Sequence, residues 1–427
     1  MNNFSKICVV GLGYIGLPTA AVIASRRVEV LGVDVREDVV RTINEGKVHI
    51  VEPRLDMLVH STITEGYLRA STSPQKADAF IIAVPTPFQK TNDNERIPDL
   101  SYVKSATYGI APFLKKGDLV ILESTSPVGT TEKVSSWLQE IRPDLTLPEA
   151  SDSLPDVHVA HCPERVLPGY VVRELVDNDR IVGGITSECS KRAVQLYKIF
   201  VEGECLVTNA RTAEMAKLTE NSFRDVNIAF ANELSIVCDK QQIDVWELIK
   251  LANHHPRVNI LNPGPGVGGH CIAVDPWFIV SESPDDAKLI KTGRLVNDNK
   301  PNWVIEKVVM AVDELLSNGL KPSDIKIACL GLAFKPDIDD LRESPALQIT
   351  RLLNSMYPNQ IFAVEPNVES GLLEELNPDL KFLDYQSAIK ETNILLLLTD
   401  HSQFKKEPPS IGVNQIAIDT RGAWIKD

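Results

Sequence analysis

The chain contains no run of 18 apolar residues, no CxxC pair and few aromatics, 6% of the total. The first absence argues against a membrane-spanning helix. The second, with only seven scattered cysteines, argues against a zinc cluster or a disulfide framework. Positive charge is also short: 44 Lys and Arg against 58 Asp and Glu give a net charge of −14, which argues against a nucleic-acid partner. A few local cations can still hold a small anionic ligand. The opening MNNFSKICVVGLGYIGLP is too short and too glycine-broken for a signal peptide, so a cytoplasmic protein with no membrane contact is expected. His254 and His255 are adjacent but lack the carboxylate and spacing of a metal motif, so no metal is expected.

What is present begins with a strand, KICVV at 6–10, a glycine turn, GLGYIG at 11–16, a helix-compatible run and a second strand over 28–35. Gly11 permits the tight turn, Gly13 lets backbone approach a pyrophosphate beside Tyr14 and Ile15, and Gly16 lets helix and strand pack closely. Asp34 ends the second strand where a ribose diol would sit, and its carboxylate would repel a 2′-phosphate, so NAD is expected rather than NADP. Two further apolar runs stop at polar residues: AFIIAV at Pro85 and Thr86, and LVILE at Ser124 and Thr125. The Thr125 hydroxyl either holds a water or sugar hydroxyl or caps the next helix. In VHVAHCPERVLPG (157–169), Glu164 is either a general base or half of a surface salt bridge with a neighbour such as Arg165.

From Arg211 the apolar period becomes helical, with Met215, Leu218, Phe223, Val226, Ile228, Phe230, Leu234 and Val237 forming a packing seam that also invites dimerisation. Lys217 and Asn221 share one face of this helix. GPGVGGHCIAVDP (264–276) then places Cys271 after a glycine run and before a helix start, where exposed amides favour a thiolate, with Asp275 one turn on. A lone cysteine is otherwise an ordinary buried residue. In a chain that binds NAD, however, alcohol-to-aldehyde oxidation needs no thiol, whereas aldehyde-to-acid oxidation does, through a thiohemiacetal and a thioester. The last third restarts strand, turn and helix at IKIACLGLAFKPD, with strands at 361–365, 393–402 and 416–424. Lys335, Arg342 and Arg421 supply charge for a diphosphate, Arg342 having Asp337, Asp339 and Asp340 as rival partners. The fold class expected is α/β, two doubly wound Rossmann-like domains joined by a central helical domain with a long helix. The expected boundaries are 1–208, 209–315 and 316–427.

GLGYIGLP, ESTSPVGT, PERVLPG, KLTEN, GPGVGGHC with its aspartate, and GLAFKPDIDDLRESP, taken in order, resemble the UDP-glucose/GDP-mannose dehydrogenase family over residues 6–424. The resemblance implies oxidation of a sugar 6-hydroxymethyl to a carboxylate with two NAD. It implies Cys271 as the thiol, Lys217 as the oxyanion stabiliser, Asn221 as its hydrogen-bonding partner and Asp275 as the carboxylate working with the lysine and a water. It likewise implies Thr125 as holder of that water and Glu164 in thioester hydrolysis. Lys335 and Arg342 match positions near substrate and cofactor, and Arg257 an arginine that reaches substrate across a subunit interface. Gly268, Arg165 and Arg421 join the expected substrate contacts. Val267, His270 and IAVD depart from the UDP-glucose branch, and GVGGHCIAVDP is similar to the branch acting on UDP-N-acetylhexosamines. The implied substrate is UDP-N-acetyl-D-mannosamine, with UDP-N-acetyl-D-glucosamine and then UDP-glucose as alternatives. The implied product feeds surface-polysaccharide synthesis, and the implied assembly is a homodimer or a dimer of dimers. The presence of Cys271, Lys217 and Asp275 together separates the chain from a non-catalytic sensor on the same fold.

Overall fold

Short runs of Val, Ile and Leu bounded by Gly, Pro and Asp become strands buried on both faces, the signature of a parallel sheet covered by helices. In the computed structural model, residues 4–89, 96–148, 154–167, 169–269 and 271–424 are described, and His270 lies outside them. The chain divides into two compact units, Met1–Glu220 with Trp277–Glu282, and Asn221–Pro276 with Ser283–Asp427.

The first unit holds an eight-stranded sheet: β1 (Lys6–Val10), β2 (Glu29–Val33), β3 (Leu68–Ser71), β4 (Ala79–Ile82), β5 (Leu119–Leu122), β6 (His158–His161), β7 (Arg180–Gly184) and β8 (Cys205–Asn209). Their spatial order is β3-β2-β1-β4-β5-β6-β7-β8. Every neighbouring pair is parallel except β6 with β7. The order of the first six is that of a dinucleotide-binding sheet, whose ligand crevice opens where the order reverses, between β1 and β4. Apolar layers cover both faces, one around Leu17, Ile23 and Leu196, the other around Val103, Val134 and Leu138.

The second unit carries β9 (Ile327–Leu330), β10 (Ile361–Val364), β11 (Lys381–Phe382), β12 (Ile394–Leu397) and β13 (Ile416–Asp419), all parallel in the order β11-β10-β9-β12-β13. Val304, Val308 and Leu315 of the 30-residue helix Lys288–Ser317 pack on one face of this sheet, and Tyr385 and Phe404 on the other.

The helix Ala210–Lys240 is a single run of 31 residues. Its seam differs from the sequence reading. Phe223, Phe230 and Val237 are 71%, 52% and 43% exposed, whereas Asn221, Ser222, Asp225, Asn232 and Ser235 are buried. Leu218 of the expected seam is buried, as are Ala229 and Ala231, and the helix Lys288–Ser317 supplies partners for the buried Asp225, Asn232 and Ser235. Arg294 donates to Asp225 Oδ1 at 2.5 Å, Asn297 donates to the same oxygen at 2.8 Å, and Asn232 Nδ2 donates to Asn297 Oδ1 at 2.8 Å. A buried charge persists only where such partners exist. No described helix is long and apolar enough to cross a membrane.

Candidate functional site

In the first unit the glycine turn has the geometry that its three glycines require. Gly11 adopts φ 94°, and a Cβ there would lie 2.4 Å from the Ala83 carbonyl oxygen. At Gly16 a Cβ would lie 1.8 Å from the Gly11 oxygen, whereas at Gly13 it would meet nothing within 4 Å. The turn is therefore pressed against the sheet at both ends and open at its middle, leaving room for a pyrophosphate beside the helix Gly16–Ser25. Asp34 follows β2. Its Oδ2 accepts the Leu12 N–H at 3.1 Å and its Oδ1 the Arg36 N–H at 3.0 Å, which fixes the carboxylate beside the turn. The exits of β4 and β5 are tied together, Thr86 Oγ1 donating to the Thr125 carbonyl and Ser124 Oγ to the Val84 carbonyl, both at 2.7 Å. These residues fit NAD.

Thr125 does not cap the helix Thr130–Ile141. Its N-cap is Gly129, and the buried Glu214 carboxylate accepts from Gly129 N, Thr131 N and Thr131 Oγ1. Nor is Glu164 half of a surface pair with its neighbour. It is buried, with Oε2 2.5 Å from Arg180 Nη1 and Oε1 accepting the Arg165 N–H at 2.6 Å. The Arg165 side chain turns instead to Glu220, at 2.7 Å. Cys162 is buried, and burial pushes its thiol up, out of reach of thiolate chemistry. Lys217 is half-buried. The fully buried His161 is pushed down to about 3 by burial, with the charge of Lys217 adding to the shift, so its ring is neutral. Arg180, Glu123 and His161 were missed in the sequence because a single charged residue beside an apolar strand reads as its edge. The signal was there in LVILE, AHCPE and DRIVGG, charges at strand ends.

In the second unit Cys271 is half-buried, in the turn that opens the helix Asp275–Glu282. Its carbonyl accepts the N–H groups of Val274 and Asp275 at 3.0 and 2.8 Å. Asp275 is buried, and Asn221 Nδ2 donates to its Oδ2 at 2.5 Å, so these two expected residues are together. The preceding glycines are needed for close approach. A Cβ at Gly268 would lie 2.5 Å from the Glu343 carbonyl oxygen and 2.6 Å from Pro345 Cδ, and Gly269, at φ 82°, lies over the Phe334 ring. Arg421 reaches the same loop, its Nη1 2.4 Å from the Cβ position of Gly264, while its Nε donates to Asp400 at 2.9 Å.

Arg342 pairs with Asp340 at 2.6 Å, the rival partner foreseen for it. Lys335 is half-buried, and burial lowers its ammonium below the usual lysine range, with Arg224 adding. Arg257 is exposed, and its N–H donates to His255 Nδ1 at 3.3 Å. The first turn of the second sheet repeats that of the first. Gly331 has φ 84°, and the amides of Leu332 and Ala333 donate to Glu365 Oε2 at 2.7 and 2.9 Å, as Leu12 does to Asp34. His401 Nε2 lies 3.1 Å from the same oxygen. Among the described residues no three His, Cys, Asp or Glu gather as a metal site.

Three segment models of one family match the chain. They are the UDP-glucose/GDP-mannose dehydrogenase family's NAD binding domain over residues 5–201, its central domain over 211–299 and its UDP binding domain over 328–426. The chain is 59% identical over 423 residues to a UDP-N-acetyl-D-mannosamine dehydrogenase of Yersinia pestis, covering 99% of this chain and 100% of that protein. It is 56% identical over 422 residues to an NDP-N-acetyl-D-galactosaminuronic acid dehydrogenase of Ralstonia nicotianae, covering 99% and 97%. Among solved structures, a UDP-D-ManNAc dehydrogenase from Pyrococcus horikoshii superimposes with a TM-score of 0.87 at 38% identity, covering 99% and 96%.

Proposed function

The chain belongs to the UDP-glucose/GDP-mannose dehydrogenase family and is an NAD-dependent dehydrogenase; we propose that it oxidises UDP-N-acetyl-D-mannosamine at C6 to UDP-N-acetyl-D-mannosaminuronate. The observation that carries the substrate is the full-length similarity to the Yersinia pestis protein. NAD supplies the hydride acceptor for both oxidations. In this reading Lys217 stabilises the alkoxide as the alcohol passes its proton to water, and loss of the first hydride leaves the aldehyde. Cys271 sulfur then forms a bond to the aldehyde carbon, giving a thiohemiacetal whose oxyanion faces the lysine. Loss of a second hydride leaves a thioester. A water, positioned by Thr125 and Asp275 and deprotonated with the help of Glu164, adds to the carbonyl; the carbon–sulfur bond breaks, and thiolate and carboxylate separate. The Asn221–Asp275 hydrogen bond supports this assignment by holding the carboxylate in one orientation.

Residues 1–208 would hold NAD, with Gly11, Gly13, Tyr14, Ile15, Gly16, Asp34, Pro85 and Thr86 around it. Residues 209–315 would carry the thiol, and 316–427 would hold the uridine diphosphate through Lys335 and Arg421, with Arg342 toward the cofactor. The exposed Phe223, Phe230 and Val237 support a homodimer that covers them. The nucleotide substrates support a cytoplasmic location.

The Ralstonia nicotianae similarity favours, as a second reading, another UDP-N-acetylhexosamine at the same site. A rate comparison decides: UDP-N-acetyl-D-mannosamine, its gluco and galacto epimers, and UDP-glucose, each with NAD and with NADP. The proposal expects the manno epimer with NAD to give the highest kcat/KM and two NADH per acid formed. A higher value for another epimer overturns the substrate, and one NADH per product overturns the acid-forming route.

A further inference from the structure

β7 is the strand that breaks the parallel pattern. Its register against β6 pairs Ala160 with Gly184 and His161 with Gly183. Continuing that register places Glu164 opposite Arg180, which is where the ion pair is found. The parallel register of β5 with β6 pairs Leu122 with His161, so Glu123 emerges from the sheet beside the same arginine. Arg180 Nη1 lies 2.5 Å from Glu164 and 3.7 Å from Glu123, and all three side chains are buried. The guanidinium stands 4.8 Å above the Tyr197 ring. Tyr197 OH and Thr19 Oγ1 donate to the two oxygens of Glu123 at 3.2 and 3.4 Å. Cys162 also faces Glu123, and burial keeps its thiol protonated.

One cation between two carboxylates in a dry interior leaves one negative charge in excess, and the cheaper state there carries a proton. Glu164 holds the closer contact with Arg180 and a backbone N–H besides, so the proton belongs on Glu123. Burial pushes Glu123 up to about 7, against the pull of Arg180 and with the repulsion of Glu164 adding.

We infer that Arg180 is a positioning residue for the acid-forming half of the reaction, and that protonation of Glu123 sets how tightly Arg180 neutralises Glu164. With Glu123 protonated, Arg180 belongs to Glu164 alone and holds its Oε2 in the ion pair. With Glu123 ionised, the guanidinium is shared between the two carboxylates, and Glu164 Oε2 is released to meet the water that opens the thioester. The inference rests on the role proposed above for Glu164.

The test uses the full chain, with parent, Glu123→Gln and Tyr197→Phe, and measures thioester hydrolysis as acid released after a single turnover across pH. The first NADH is the internal control. In the parent, hydrolysis is expected to rise through an inflection at about 7. In Glu123→Gln the inflection is lost and the alkaline rate falls about tenfold, with the first NADH little changed. In Tyr197→Phe, which keeps the ion pairs, the inflection moves to higher pH because ionised Glu123 loses a donor. An inflection unmoved in both variants overturns the inference. If no sugar nucleotide is oxidised, the reading of the function fails, and the carboxyl pair is then judged by its protonated-carboxyl infrared band. A band that fades near neutrality in the parent and is missing in Glu123→Gln supports the shared arginine, and its absence from the parent overturns it.

Discussion

Cys271 shows what one residue's position can contribute. It sits half-buried in a turn where its carbonyl accepts the amides of Val274 and Asp275, so the residue is neither sealed in a core nor on a loose loop. Replacing it by serine should leave the first oxidation measurable and lower acid formation at least about a thousandfold. NADH release should be followed separately from sugar alcohol and from sugar aldehyde. Acid formed at the parental rate would show that the thiol is not the acceptor. Asn221 and Asp275, which the structure brings within hydrogen-bond distance, were both singled out in the sequence, on the motifs KLTEN and GPGVGGHC with its aspartate. Arg180 and Glu123 were not. Their partnership depends on one antiparallel register, which the apolar pattern of β7 does not encode.

Among the elements, the long helix after Arg211 was read well in extent and wrongly in the facing of Phe223, Phe230 and Val237, while the helix Lys288–Ser317 was not read at all. Periodicity reports that one stripe is apolar. It does not say whether the chain's own partner helix takes that stripe or the polar one, and here Arg294, Asn297 and Lys300 take the polar one. Lys300 is the weak point of that arrangement. It is buried against the Trp303 ring at 3.6 Å, hydrogen-bonds to Ser235, and is lowered to about 7, chiefly by burial. Its ordinary value is 10.5, so between about 7 and 10.5 the unfolded chain binds a proton that the folded chain does not. Stability therefore rises with pH through that window, by about 1.4 kcal/mol per unit at most, and is lost as pH falls toward 7. Lys300→Met should remove the penalty and stabilise the protein at neutral pH by about 1–3 kcal/mol. Thermal melts should show the variant's advantage shrinking as pH is raised. A lower melting temperature for the variant at neutral pH would show that Trp303 and Ser235 compensate the buried charge in full.

For the whole molecule, β1, β2, β4 and β5 of the first sheet and β9, β10, β12 and β13 of the second were legible because each is an apolar run ending in polar residues. The short β3, β7 and β8, which carry Arg, Gly or Thr among few apolar residues, were not read, nor was the two-residue β11, too short to show a pattern. The outward stripe Phe223, Phe230 and Val237 repeats every seven residues, so it drifts only about 20° per step and runs nearly straight for about 21 Å. A straight apolar ridge suits a second copy related by a two-fold axis, where each residue can meet its own equivalents. Phe230→Glu should convert a dimer to monomers in light scattering while NAD titration is unchanged. If Arg257 serves the partner's substrate, the monomer should also lose kcat/KM. An unchanged mass would move the interface elsewhere.

The glycines at 264–269 leave the strand of chain before the thiol no slack. At Gly268 there is not room for a methyl group between this backbone, the Glu343 carbonyl and the Pro345 ring. A lever with no play transmits whatever is done to its far end. Whatever shifts the 334–345 turn must therefore shift the Gly268 backbone with it, three residues before the thiol in the chain.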